Sequence, residues 1–289
     1  MFERLTTGWQ LAKQSASVLR QDKELILFPL FSGLACMLAM ASFAVPAYFT
    51  GILESFLAER EGADAANGAA QQIMFYVLMF LFYFVTYFIV IFFNSALVAC
   101  AIIRLKGGNP NLGDGFGAAM ARLPQIAGWA LVAASVGMIL KIIESRSQKV
   151  GQIIASVLGM AWSVTTFFVI PILVVEKAGP VDAFKRSVSV MRKTWGESLS
   201  ANFGIGFFTF IAMFLGIIPL VGGFFLTMSG MAVVGTILIV VGVVLVLLVS
   251  LISSALGSIM LAALYIYAEE GSVPSGFDPA MIKGAFATK

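Results

Sequence analysis

The chain has 289 residues, 60% of them hydrophobic and only 11% charged, with a formal net charge of +3 and a mean hydropathy of +0.98. A soluble domain carries about 25% charged residues, so this composition excludes a water-soluble globular class and implies a protein dissolved in lipid. There is no histidine, and both cysteines, Cys36 and Cys100, fall inside apolar stretches. The commonest general base and metal ligand is therefore missing, and the cysteines read as small hydrophobes, not as a disulfide or a metal pair.

In chain order, Phe2, Leu5, Trp9, Ala12, Ala16 and Leu19 recur at steps of three and four, which predicts a helix with one apolar stripe. Lys13 and Arg20 fall off that stripe. The first apolar stretch, 25–50, starts too late and runs too long for a cleavable signal, despite an A-x-A pattern at Ala39 and Ala41, and reads as a retained span. An acidic loop (Glu54, Glu59, Glu61, Asp64) leads into span 73–103, which carries aromatic residues on all sides together with Asn94 and Ser95. Polar side chains in lipid turn toward other helices, so these two are assigned to the bundle interior. Leu112, Phe116, Ala119 and Leu123 repeat the amphipathic stripe in a shorter form, with Asp114 early, where the helix dipole favours negative charge.

Spans 124–143 and 151–175 follow, joined at a tip with Lys141, Glu144, Arg146 and Lys149; Glu144 is expected to pair with Lys141 three residues back. Val181, Phe184, Val188, Met191 and Trp195 form a third stripe, opened by Pro180 and Asp182, with Lys185, Arg186, Arg192 and Lys193 mostly off it. Spans 201–228 and 231–267 close the apolar part. At a rise of roughly 1.5 Å per residue the last would be about 55 Å long. Either it bends near Ser253, Ser254 and Gly257 or the region holds three shorter spans; the repeat described below favours two. Pro171 and Pro219 are expected to bend their helices. Ser250, Ser254 and Ser258 lie four residues apart on the last helix, where small residues permit close packing or line a polar groove.

Lysine and arginine set the threading. One side collects Arg4, Lys13, Arg20 and Lys23, then Arg104, Lys106 and Arg122, then Lys177, Lys185, Arg186, Arg192 and Lys193, and finally Lys283 and Lys289; the other has only Arg60, Lys141, Arg146 and Lys149. Both termini are therefore expected in the cytoplasm. Lys13, Ser15, Ser17, Val18 and Arg20 match Lys185, Ser187, Ser189, Val190 and Arg192 at identical spacing. The simplest architecture is an all-α, six-span bundle in a single membrane domain, built as three copies of a cytoplasmic interfacial helix plus a hairpin of two spans, at about 1–103, 109–175 and 180–268, with a tail at 269–289. Each basic helix is expected to lie along the inner leaflet.

The opening GWQLAKQSASVLRQDKELILFP, the stretch WALVAASVGMILKIIESRS from Trp129, and above all AWSVTTFFVIPILVVEKAGPVDAFKRSVSVMRKTWGE over Ala161–Glu197 resemble a family of bacterial inner-membrane proteins of unknown function. The resemblance covers essentially the whole chain. In layout the chain is also distantly similar to the membrane domain of some glycerophosphodiester phosphodiesterases, whose catalytic domain has no counterpart in these residues. Both likenesses imply a multi-span bundle with interfacial helices, and neither carries over an active-site residue.

The expected function is non-enzymatic. Lys13, Arg20, Lys185, Arg186, Arg192 and Lys193 are read as contacts for anionic lipid headgroups, in a bacterial inner-membrane protein that organises the membrane, a protein partner or further copies of itself. The competing reading is a channel or transporter for a small or amphipathic solute, with Asn94, Ser95, Ser250, Ser254 and Ser258 in a polar bundle interior. The spans show no metal-ligand cluster and no paired mid-membrane carboxylates, so no cofactor, metal or catalytic centre is expected. Nucleic acid is not expected either, because topology accounts for the positive charge.

Overall fold

The computed structural model describes the backbone of residues 2–49, 68–146, 150–193 and 197–279. The side chains of 2–8, 68–72, 146, 193, 197–208 and 211 lie outside the description. So do the acidic loop with Arg60, Lys149, Trp195 and the tail lysines Lys283 and Lys289.

The described residues form helices joined by short turns and loops, with no strand among them. The order is α1 (Phe2–Gln21), a 3-10 turn (Lys23–Ile26), α2 (Leu27–Phe49), α3 (Gly68–Leu105), α4 (Leu112–Met120), α5 (Leu123–Arg146), α6 (Val150–Thr165), α7 (Val169–Val175), α8 (Pro180–Lys193), α9 (Glu197–Met228) and α10 (Ala232–Glu270). Among the described residues five segments are long and apolar enough to cross a membrane: Lys23–Phe49, Ile73–Leu105, Leu123–Ser145, Val150–Val175 and Ala232–Glu270. Lipid cannot satisfy backbone polar groups, so such segments must be helices, and the protein is a multi-pass membrane protein. α9 is continuous over 32 residues, with Ala212–Met228 as its described apolar part.

The prolines of the fourth and fifth spans leave different traces, and the region after them holds the two helices that the repeat favours. The fourth span is interrupted at Thr166–Phe168, between α6 and α7, a few residues before Pro171. Proline lacks an N–H and displaces the carbonyl four residues back, so its disruption falls in the preceding turn. Pro219, in contrast, lies within an unbroken α9, and 201–268 holds two helices, the second being 39 residues and about 58 Å long.

The chain divides into two compact units. The first comprises Met1–Pro29, Leu97–Gly115 and Ser189–Lys289. Here α9 and α10 form a hairpin against which α1 packs. The hairpin closes through glycine: a methyl group added at Gly223 would stand 2.6 Å from the carbonyl oxygen of Gly235, and one at Gly242 would stand 2.9 Å from that of Gly216. Small residues permit such approach of membrane helices. Thr209 donates to Ser253 at 2.9 Å across the same hairpin. At the end of α3, Arg104 makes a bidentate ion pair with Asp22 and also donates to Asn109 at 2.6 Å, while Lys106 pairs with Glu270 of α10. The segment after α10 is tied to the same place. The Ser275 N–H donates to the Leu105 carbonyl at 2.9 Å, and Phe277 is buried.

The second unit comprises Leu30–Ala96 and Phe116–Val188. Phe31, Phe93 and Phe116 cluster with centroids 6.0–6.4 Å apart, fixing α4 against α2 and α3. Helices α5 and α6 pack as a hairpin. At its base Trp129 and Trp162 stack at 5.6 Å and 11°, and Phe184 of α8 stacks on Trp162 at 5.8 Å. Lys141 and Glu144 form the expected pair at 3.0 Å. The C-terminal ends of α3, α7 and α10 share one device: each is followed by a residue in the left-handed conformation, Gly107, Lys177 and Gly271.

Candidate functional site: the basic amphipathic helices

α8 begins at Pro180, whose missing N–H costs nothing in the first turn, and Asp182 sits in that turn beside the positive end of the dipole. Its inward face is Ala183, Ser187, Val190 and Met191, all buried; Val181, Asp182, Lys185, Ser189 and Arg192 are exposed. The stripe is thus rotated from the expected one. Val181 is 61% exposed, and two small residues, Ala183 and Ser187, lie at the contact instead.

Ser187 carries the most specific polar contact of the unit. Its hydroxyl donates to the Thr165 carbonyl at 2.7 Å and accepts from the Phe168 N–H at 3.1 Å. It therefore spans the interruption between α6 and α7 and gives a partner to one backbone group on each side. A buried backbone group left unpaired is costly, so α8 is a structural part of the fourth span. The sequence reading used Ser187 only as a match in a repeat; its signal, a hydroxyl amid apolar inward positions, was present but assigned no role.

α1 presents the same register. Leu11, Ala12, Ser15, Val18 and Leu19 are buried, while Trp9, Gln10, Lys13, Ser17 and Arg20 are exposed. Ser15 and Ser187, Lys13 and Lys185, and Arg20 and Arg192 therefore occupy matching faces. The two serines differ in one respect: Ser15 is fully buried, yet its hydroxyl has no hydrogen-bond partner among the described residues. In α4, Gly115 and Ala119 point inward and Asp114 is exposed. Asn111 caps this helix reciprocally: the Asn111 N–H donates to Asp114 at 2.9 Å, and the Asp114 N–H to the Asn111 side chain at 3.1 Å.

Of the headgroup candidates, Lys13, Arg20, Lys185 and Arg192 are exposed and have no ion-pair partner among the described residues. Arg186 is held by Glu176 at 3.3 Å, and the Lys193 side chain lies outside the description. Of the polar-interior candidates, Asn94 and Ser95 belong to the second unit and Ser250, Ser254 and Ser258 to the first. Asn94 is half-buried, and Ser95 is fully buried with an unpartnered hydroxyl among the described residues. Ser250 returns its hydroxyl to the Val246 carbonyl at 2.8 Å, Ser258 is half-buried, and Ser254 is exposed. Among the described residues, the α10 serine hydrogen-bonded to another helix is Ser253, through Thr209. Among the described residues no three His, Cys, Asp or Glu side chains converge on a metal-sized site.

No curated protein matches the chain. The model of a family of unknown function (DUF6159) matches residues 73–277, the greater part of the sequence, and the chain belongs to that family.

Proposed function

We propose that this protein is a non-enzymatic bacterial inner-membrane protein, with both termini cytoplasmic, that binds anionic lipid through the basic faces of α1 and α8 and thereby organises the membrane or a partner complex. The observation that carries the reading is the repeated placement of Lys13 and Arg20 on α1 and of Lys185 and Arg192 on α8. All four are exposed, at the same register, with no carboxylate partner among the described residues. The apolar face of each helix is taken up by protein, so the outward cationic face is what remains for headgroups. A cation near an anionic leaflet contributes about 1 kcal/mol, so four together contribute roughly 4 kcal/mol, about a thousandfold in affinity.

The test is native mass spectrometry of the full chain in mild detergent with phosphatidylglycerol or phosphatidylcholine. Wild type is expected to retain phosphatidylglycerol selectively, and the K13Q/R20Q/K185Q/R192Q variant to lose that selectivity. Equal retention by both proteins would refute the reading. A second reading, a path for a small or amphipathic solute, draws support from the interrupted fourth span, since broken helices mark binding sites in transporters. Against it, Ser187 already occupies the two backbone groups at the break. Solute flux into proteoliposomes that hold the wild-type chain, absent from protein-free vesicles, would favour this second reading.

A further inference from the structure

α8 is docked through its first half. Pro180 sits over Gly128 of α5, where an added methyl group would stand 2.8 Å from the proline ring. Phe184 stacks on Trp162 at 5.8 Å and on Trp129 at 6.5 Å. Arg186 reaches Glu176 at 3.3 Å, and the Ser187 hydroxyl joins the Thr165 carbonyl to the Phe168 N–H across the break in the fourth span. The opposite face carries Lys185 and Arg192, seven positions apart and so aligned, exposed and without an ion-pair partner among the described residues. One short helix thus joins a break in a span to a pair of uncompensated cations. We propose that α8 is a latch that responds to membrane charge: anionic headgroups drawn to Lys185 and Arg192 hold Ser187 in its bridge, and the break loosens where the membrane offers none. This rests on the lipid reading above and adds a regulation to it.

A ligand shifts an equilibrium only by binding one state better than the other. The two states here are α8 docked and α8 released. Docking fixes Lys185 and Arg192 on one outward face. The helix has 14 residues, at the limit of about 12–15 below which an isolated helix is marginal, so release also costs the alignment of its cations. Lipid is a poor substitute for the docking surface. Ala183 and Ser187, both fully buried, are small, and in lipid the Ser187 hydroxyl would lose both its partners. Release would also orphan the Thr165 carbonyl and the Phe168 N–H. Headgroup attraction on the outer face therefore adds to docking and does not compete with it. By reciprocity, a closed break raises the affinity of α8 for anionic lipid. Two cations beside an anionic leaflet set a ceiling of about thirtyfold on the shift. A released segment still near the surface keeps part of that attraction, so several-fold is expected.

The test uses the full chain in nanodiscs of phosphatidylcholine alone or with rising fractions of phosphatidylglycerol. Amide exchange is followed at Phe168, and native mass spectra of the same preparations record the lipid retained. In wild type, exchange at Phe168 is expected to slow several-fold as phosphatidylglycerol rises, while the amides of residues 130–134 in α5 keep their rate. In K185Q/R192Q it is expected to stay at the rate seen in phosphatidylcholine, and in Ser187→Ala to be fast in every lipid. Wild type that retains phosphatidylglycerol selectively but exchanges at Phe168 at one rate in all lipids would overturn the latch and leave the lipid reading standing. Absence of selective retention would overturn both. Exchange that accelerates with phosphatidylglycerol would show lipid drawing α8 off the break and would equally overturn the latch. These outcomes need no variant to fold; a K185Q/R192Q response equal to that of wild type would also count against it.

Discussion

Ser187 and Ser15 occupy equivalent places on two similar helices, are both fully buried, and are expected to respond in opposite ways to the same substitution. Ser187→Ala removes the partner of the Thr165 carbonyl and of the Phe168 N–H. Each orphaned group costs roughly 1–3 kcal/mol, and partial relaxation around the vacated oxygen brings the pair to about 2–4 kcal/mol. Ser15→Ala deletes a hydroxyl with no partner among the described residues, so it removes a desolvation penalty and breaks nothing. Its effect is expected to run from neutral to a gain of about 1 kcal/mol. Thermal unfolding in detergent gives the sign of each change, and amide exchange at Phe168 locates it. Exchange there should accelerate in Ser187→Ala and stay as in wild type in Ser15→Ala. If the two variants unfold together, or if the Phe168 amide stays protected without Ser187, the role assigned to that hydroxyl is refuted.

Gly235→Ala is expected to destabilise the α9–α10 hairpin by roughly 1–3 kcal/mol through overpacking, because the added carbon would meet the Gly223 carbonyl at 2.6 Å; Gly222→Ala, with nothing within 4 Å, is its control in the same melting assay. The Arg104–Asp22 pair has side chains only 20% and 10% exposed, between the surface and buried limits, so Asp22→Asn is expected to cost about 1–3 kcal/mol. Glu270→Gln breaks a pair with sides 48% and 45% exposed and should cost about 0–1 kcal/mol, falling further in high salt. Asn111→Ala removes the cap of α4 and should cost about 1 kcal/mol, readable as faster amide exchange in Asp114 and Gly115.

The membrane class and the position of nearly every span were legible because burial in lipid demands long apolar runs, and such runs survive any detail of packing. The small-residue contacts were not. On α8 the apolar stripe was assigned through Val181, Phe184, Val188 and Met191, but the buried face runs through Ala183 and Ser187, with Val181 outside. Hydrophobic periodicity weights large side chains, whereas helices in lipid come together where side chains are small. The same blindness hid the seam of Gly216, Gly223, Gly235 and Gly242, while attention fell on Pro219 and on a serine stripe of which Ser254 is exposed. The cationic positions were legible as residues, but Arg186 differs from its neighbours only because the fold brings Glu176 within 3.3 Å.

The interruption of the fourth span also has a consequence for the order of assembly. α7 contains only seven residues, about two turns. The hydroxyl that bridges it to α6 belongs to a residue 22 positions after Thr165 and 19 after Phe168. During synthesis the two backbone groups at the break therefore gain this partner only after α8 has been made. A chain that ends before Ser187 lacks the hydroxyl that partners both groups, so the amphipathic segment completes the hairpin that precedes it.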